Sequence, residues 1–413
     1  MNNYIIKLII ISLLPISVYG QKPVLYIGAT AHLGNGEKIE NSAISVLNGR
    51  FELVANASTI RINPASFDTI IRLYGKKIYP GFILPNTTLG ITEIDAVRAT
   101  NDYLEVGDFN PNVRSLIAYN TDSRITKTVR TNGILIAQTT PRGGLVSGQS
   151  SVLYLDGGNW EDAICRKDDG IHINWPSSLH AYENDKNQTE YENRIQRLID
   201  FLEKAHSYAK YHSVKDLRME SMLGLFQGTK TLYIHANIAR DIRKSITVSK
   251  KFNIKNCVIV GGEEAILVEK DLKELNVPVI LNRLHRLPKS QDIDVEDPFR
   301  QPKKLKELGV LFCFSYEGDM EAMGARNLSF TAGTAVAYGL SYEDAISALT
   351  LNTAKILGID DRLGSIETGK EATFFISSGD ALDMRTNNVE QAFINGVSVD
   401  LDNHQSSLFE KYK

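Results

Sequence analysis

Residues 24–80 alternate short apolar runs with polar turns, a pattern typical of β strands. Four such runs stand at residues 24–27, 43–47, 50–54 and 69–73. Asn48-Gly49 separates two of them, and this dipeptide favours a tight hairpin turn. The pattern therefore predicts that residues 21–78 form one part of a small β domain.

From residue 79 to residue 361, apolar runs of strand length alternate with segments of helical period. Residues 191–209 are one such segment, with a stripe of Ile195, Leu198, Ile199 and Leu202. Continuous apolar strands between helices predict a parallel sheet covered on both faces, and eight of them favour a (β/α)8 barrel over the alternative, a doubly wound open sheet. The eight runs are residues 79–84, 134–137, 151–155, 171–175, 232–235, 257–260, 277–281 and 310–314.

After residue 362 the pattern returns to β. Residues 373–377 form one apolar run, and residues 389–399 read as a hairpin around Asn395-Gly396. We predict that residues 362–413 supply the second part of the β domain and a C-terminal tail. The predicted fold class is thus α/β, a TIM-type (β/α)8 barrel with a small β-sandwich formed from both termini.

The N-terminal segment differs from the rest of the chain. Lys7 precedes an apolar run at residues 8–18, and Gly20 follows it, the arrangement of a secretory signal. The alternative is a membrane anchor, for which the run is short. We therefore expect residues 1–20 to be a cleaved signal peptide and the mature protein to be exported, periplasmic or secreted, and not integral to a membrane.

Charge and cysteine content narrow the picture further. The formal net charge is −3, and no basic stripe interleaves with aromatic residues, so nucleic acid is not an expected partner. Of the three cysteines, Cys257 and Cys313 lie in apolar runs and are expected to be buried thiols.

Four motifs stand at residues 79–83, 339–345, 350–358 and 362–372. They resemble those of a known family, the amidohydrolases of the metal-dependent hydrolase superfamily, and within it a group of secreted bacterial proteins related to imidazolonepropionase-like enzymes. The resemblance implies a barrel closed by a sandwich from both termini, and hydrolysis of non-peptide C–N bonds by a metal-activated water.

The first barrel strand of that family ends in a His-x-His pair that holds the metal. Asn86 and Thr88 stand at the matching positions of this chain. Neither residue type is a good ligand for a transition metal. This is the largest departure from the family pattern.

In that family, two later strands carry further histidines. His235 matches the one on the fifth strand, so it is the candidate metal ligand, or else a histidine hydrogen-bonded inside the barrel mouth. On the sixth strand the histidine is absent, and Glu263 or Glu264 can face the mouth or favour a helix N-terminus. His172 lies on a strand-like run and is a candidate pocket residue or a structural histidine.

The resemblance implies an aspartate at the end of the eighth strand. Glu317 and Asp319 are the candidates there, and either carboxylate can act as a general base or remain a solvated loop residue. A glycine-rich loop at residues 142–144 begins with Arg142, whose guanidinium can grip a carboxylate or phosphate.

Two hypotheses follow. In the first, the protein is a hydrolase of cyclic amide or N-acyl C–N bonds with an unusual or weak zinc site. In the second, which we favour, the barrel has lost its metal and survives as a pseudo-enzyme that binds a small molecule or a catalytically complete relative of the same fold. No cofactor is expected in that case.

Overall fold

The computed structural model describes residues 22–211, 214–288 and 293–413. The predicted signal peptide at residues 1–20 lies outside these ranges. Within them, helices with the length and apolar character needed to cross a bilayer are absent.

Seven short strands precede the barrel. The β4–β5 hairpin turns at Asn48 and Gly49, which have positive φ angles of 49° and 77°, as the Asn-Gly signal predicts. The seven strands are β1 (Val24–Ile27), β2 (Thr30–His32), β3 (Lys38–Ile39), β4 (Ser42–Leu47), β5 (Arg50–Asn56), β6 (Thr69–Arg72) and β7 (Lys77–Pro80).

Eight strands then form one nearly closed barrel, and neighbours in the barrel follow the chain order. Each of the eight predicted runs overlaps one of these strands, so the barrel prediction is confirmed. The strands are β8 (Phe82–Thr87), β9 (Ile134–Thr139), β10 (Val146–Tyr154), β11 (Ile164–Asn174), β12 (Thr231–Ala236), β13 (Cys257–Gly261), β14 (Val279–Leu281) and β15 (Phe312–Phe314).

The prediction that all eight strands are parallel is wrong for β10. This strand runs antiparallel to both β9 and β11, whereas the other neighbouring pairs are parallel. Residues 140–145 join β9 to β10, and residues 155–163 join β10 to β11. A parallel connection needs a crossover of a dozen or more residues, so these short links allow only a reversal of direction.

Helices pack outside the barrel. The longest buries Tyr191, Ile195, Leu198 and Leu202, close to the predicted stripe. The helices are α1 (Ser115–Ala118), α2 (Arg124–Arg130), α3 (Asp185–Tyr211), α4 (Leu217–Gln227), α5 (Ala239–Lys251), α6 (Glu269–Glu274), α7 (Asp297–Glu307), α8 (Glu321–Gly324), α9 (Leu328–Ala337), α10 (Tyr342–Leu349), α11 (Leu351–Leu357) and α12 (His404–Tyr412). Short 3-10 turns occupy Pro64–Ser66, Arg98–Thr100, Ala265–Val268 and Ala325–Asn327.

The last strands, β16 (Phe374–Ser377), β17 (Val389–Ile394) and β18 (Val397–Val399), return to the N-terminal β segments. They form a six-stranded sheet in the order β18-β17-β16-β7-β2-β3, next to a four-stranded sheet in the order β5-β4-β1-β6. Tyr26, Ile44 and Phe374 belong to a shared apolar core. The β domain built from both termini is therefore confirmed.

The direction of the barrel strands determines where a site can form. The carboxyl ends of its parallel strands meet at one mouth, where polar side chains from distant parts of the chain come together. The barrel thiols Cys257 and Cys313 are buried, as expected. Cys257 is the first residue of β13, and Cys313 is the middle residue of β15.

Candidate functional site

Asn86 lies at the carboxyl end of β8, at the barrel mouth. It is the next-to-last residue of β8 and has a left-handed backbone, φ 51°, a conformation that asparagine adopts more readily than most residues. Its side chain is fully buried, and its Nδ2 donates a hydrogen bond to Glu317 Oε2 at 2.8 Å. The first position of the absent His-x-His pair is therefore in direct contact with the carboxylate that follows β15.

Arg142 binds the other side of Asn86. Its Nη1 donates to Asn86 Oδ1 and its Nη2 to the Asn86 carbonyl oxygen, both at 2.9 Å. Nη2 also donates to Glu321 Oε1 at 2.9 Å, and the backbone N–H of Thr88 donates to the same oxygen at 2.8 Å. The second His-x-His position, Thr88, thus contacts a second carboxylate, that of Glu321. The guanidinium of Arg142 contacts both Asn86 and Glu321.

Two histidines complete the mouth. His172 Nδ1 lies 3.0 Å from His235 Nε2, and the His172 ring stacks on Tyr233 with 4.5 Å between ring centroids. His235 Nδ1 lies 3.8 Å from Glu317 Oε1, a distance too long for a hydrogen bond, so we treat this contact as electrostatic. His172 Nε2 is buried without a hydrogen-bond partner among the described residues.

A buried carboxylate lies one layer below the histidines. Asp169 accepts hydrogen bonds of 2.7 Å from Ser150 Oγ, Tyr233 OH and Gln138 Nε2. Gln138 Oε1 in turn accepts the backbone N–H of Asn86 at 3.1 Å. The polar contacts therefore run without interruption from the mouth into the barrel interior.

The electrostatics of the mouth depend on Arg142 and on burial. Burial opposes the charge of Glu317, but His235 and Arg142 together lower the pKa of its carboxyl to about 2. Burial raises the pKa of Glu321 and Glu317 adds to this effect, while Arg142 opposes it. Burial lowers the pKa of His172 well below its usual value, and His235 and Arg142 add to this effect, so its imidazole is neutral.

Two predicted site residues lie away from this network. Asp319 is exposed on the loop after β15, where its carbonyl oxygen accepts a hydrogen bond from Arg283 Nη1 at 3.3 Å. Glu263 follows β13 and lies 3.8 Å from Arg286, where it lines a lateral cavity of about 380 Å³. The structure thus brings together Asn86, Thr88, His172, His235 and Glu317.

Sequence reasoning missed four members of the network: Gln138, Asp169, Tyr233 and Glu321. Asp169 gave a usable signal, because a carboxylate two residues before the predicted strand run at residues 171–175 is unusual for a buried strand. Glu321 gave none, because its partner Arg142 is 179 residues away along the chain.

The donor set does not fit the metal that the family resemblance implies. His235 Nε2 is engaged by His172, and both oxygens of Asn86 accept from Arg142. Among the residues that the structure describes, His, Cys, Asp and Glu nowhere form a group of three suited to a metal. A tetrahedral zinc site needs three or four free protein ligands, and a guanidinium already supplies the positive charge here.

Comparison with protein families gives one match. The model of the amidohydrolase family matches residues 171–399, which is more than half of the chain. No curated protein matches the chain significantly.

Solved structures resemble most of the chain. An amidohydrolase from Thermotoga maritima MSB8 superposes with a TM-score of 0.80 at 26% sequence identity, covering 91% of this chain and 99% of the other. A Xaa-Pro dipeptidase with bound methionine has a TM-score of 0.58 at 13% identity, covering 92% and 100%. An adenosine deaminase from Xanthomonas campestris with bound zinc has a TM-score of 0.56 at 15% identity, covering 95% and 97%. The last two likenesses concern the fold alone.

Proposed function

Since the chain belongs to the amidohydrolase family, we propose that it is a pseudo-enzyme, an amidohydrolase barrel that binds a ligand or partner without metal-dependent hydrolysis. The observation that carries this proposal is the state of Asn86, which stands where the first metal-ligating histidine would be. Its side chain is bonded to Arg142 on one side and to Glu317 on the other. We also propose that it belongs to the imidazolonepropionase-like secreted members, an assignment supported by the motifs noted above.

The chemistry of metal-dependent hydrolysis supports this assignment. Such hydrolysis needs a cation with an open coordination position, where it binds a water and lowers the pKa of that water. In this mouth Asn86 and Thr88 are buried. The Asn86 side chain and the Thr88 backbone N–H are hydrogen-bonded to protein partners. The residues present hold one another in place and leave no vacant set of ligands among the described contacts of the network.

A cavity beside the mouth is the proposed place for binding without turnover. The lateral cavity of about 380 Å³ has the size of a small-molecule site and is lined by apolar and charged side chains, including Ile238, Ile266 and Arg286. Loops that follow the barrel strands also carry exposed apolar side chains, which suit a protein partner such as a catalytically complete relative. These are Val106, Leu179, Leu267, Leu287 and Met320.

A second candidate function is hydrolysis by an unusual site. It is favoured by the contact series from Glu317 through His235 to His172, since a carboxylate next to an imidazole can act as a general base. On this hypothesis the substrate would be a cyclic amide or an N-acyl compound.

Metal analysis and hydrolysis assays on the purified full chain separate the two functions. We expect less than about one-tenth of a zinc ion per chain, since tight zinc binding needs three or four protein ligands. We also expect no turnover of cyclic amides, N-acyl amino acids or dipeptides. Stoichiometric zinc, together with an activity that disappears in His235→Ala, would refute the pseudo-enzyme.

The export of the protein is a separate part of the proposal. It rests on the charged and apolar pattern of residues 1–20. Mass spectrometry of the protein from its native host should find a mature N-terminus near residue 21 outside the cytoplasm. An intact Met1 in the cytoplasmic fraction would disprove export without touching the assignment of function.

A further inference from the structure

The barrel has a seam between its first and last strands. β8 and β15 stand at opposite ends of the sheet order, and no backbone pairing joins them among the described strands. The other seven neighbouring pairs are held by backbone ladders. The seam therefore depends on side chains to stay closed.

Four polar contacts cross this seam at the mouth. Asn86 donates to Glu317, and the Thr88 N–H donates to Glu321, both at 2.8 Å. Ser315 Oγ donates to the Pro85 carbonyl oxygen at 3.2 Å. The fourth contact is the ion pair of Arg142 with Glu321, and it is the only one of the four that brings a positive charge.

Arg142 has the position and charge to control these contacts. It reaches the seam from the loop after β9 and binds Asn86 on one edge and Glu321 on the other. The side chains of Arg142 and Glu321 are only 16% and 11% exposed, so solvent screens their attraction weakly. Without Arg142, the two carboxylates at positions 317 and 321 would repel each other with no cation between them.

We propose that the guanidinium of Arg142 replaces the catalytic metal structurally, as a built-in cation that closes the barrel seam between β8 and β15. A metal held by ligands from the first and last strands would join the same two edges. Arg142 does this with three directed hydrogen bonds, so the mouth of this barrel is complete without a metal. The inference rests on the proposed function, since it concerns a mouth that has lost its metal.

Hydrogen exchange measured by mass spectrometry on the full chain tests this inference. In Arg142→Ala we expect peptides covering residues 82–89 and 312–321 to exchange about tenfold faster than in wild type, because local opening of the seam becomes easier. Peptides covering β12 should be unchanged. Arg142→Lys keeps the positive charge but loses the forked pair of donors of the guanidinium. Its exchange at the seam should therefore lie between that of wild type and that of Arg142→Ala.

Arg114→Ala is the matched control. Arg114 also pairs with a carboxylate at 2.9 Å, that of Asp168, but away from the seam. We expect this variant to leave exchange at the seam unchanged. If Arg142→Ala does not fold, Arg142→Lys still decides, since seam exchange equal to wild type in that variant would overturn the role of the fork.

Two further outcomes would overturn the inference. One is seam exchange in Arg142→Ala equal to that of wild type. The other is a wild-type seam whose protection falls on addition of EDTA and returns with zinc chloride. These outcomes can be told apart from a failure of the proposed function. The proposed function fails if the wild-type protein contains zinc and turns over substrate. If the wild-type protein is zinc-free and inert but Arg142→Ala exchanges at the seam like wild type, only the role of Arg142 is rejected.

Discussion

At the scale of single residues, the barrel interior is organised around a buried carboxylate. Burial raises the pKa of Asp169 although three donors point at it. One of these donors, the Gln138 amide, has a fixed orientation because its oxygen accepts the Asn86 N–H. The position of Asn86 in the mouth is thus coupled, through Gln138, to the carboxylate of Asp169.

Substitutions at Asp169 test this coupling. Asp169→Ala leaves three buried donors without an acceptor and a cavity, so we expect a loss of about 3–5 kcal/mol in the free energy of unfolding. Asp169→Asn keeps an oxygen for Tyr233 and Gln138 and can donate to the Ser150 hydroxyl, so its cost should be about 1 kcal/mol. Urea denaturation measures both, and equal losses in the two variants would contradict the arrangement.

At the scale of elements, the start of α10 shows how a helix outside the barrel is tied to a neighbouring helix. Ser341 caps it by accepting the Asp344 N–H at 3.1 Å, and its hydroxyl donates to the Asp344 carboxylate at 2.7 Å. Lys306 of α7 pairs with the same carboxylate. Burial opposes the charge of Asp344, but Lys306 and Ser341 outweigh it and lower its pKa.

This lowered pKa predicts a pH dependence. The carboxylate of Asp344 stabilises the folded state above the unfolded pKa of about 3.9, and this contribution is lost as the pH falls through the lower folded value. Asp344→Asn should therefore unfold about 1 kcal/mol more easily than wild type at pH 7, and the difference should close below about pH 3.

Chemical denaturation at several pH values measures this difference. Glu307→Gln is the control, because Glu307 is an exposed carboxylate of α7 whose contact with Lys303 is longer, 3.8 Å. Glu307→Gln should change the free energy of unfolding little, both at pH 7 and at low pH. A difference between Asp344→Asn and wild type that stays constant down to pH 2 would argue against the assigned cause.

At the scale of the whole molecule, a polar cluster joins the sandwich to the barrel. His32 of β2 contacts Glu343 of α10 at 2.8 Å and stacks on Tyr79 with 4.7 Å between ring centroids. The hydroxyls of Tyr79 and Tyr342 are 3.0 Å apart, and Tyr342 donates to Asp380 at 2.7 Å. The sandwich and the barrel are therefore connected through polar groups that are largely shielded from water.

Removal of the central hydroxyl should weaken this connection. Tyr342→Phe leaves Asp380 and the Tyr79 hydroxyl without their shared partner, so we expect a loss of about 1–2 kcal/mol in thermal or urea unfolding. Tyr338→Phe removes a hydroxyl with one longer contact, 3.4 Å to Glu296, and should cost less. Equal effects of the two variants would show that the cluster adds nothing beyond packing.

The amino-acid sequence by itself determined the elements and their class. The apolar runs located all eight barrel strands, and the Asn-Gly pairs at residues 48–49 and 395–396 located two hairpins, because periodicity and turn chemistry are local properties. Asn86, Thr88, His235 and Glu317 were identified as candidate residues from motifs, and the structure brings them to one mouth.

Only the tertiary structure decided the direction of β10 and the partners inside the mouth. An apolar run has the same pattern in either direction, and the length of the link to its neighbour becomes informative only once the strand ends are known. Arg142 and Glu321 meet across 179 residues of chain, and Asp169 is surrounded by three donors from different strands. Such contacts arise from packing at long range, so a local pattern cannot specify them.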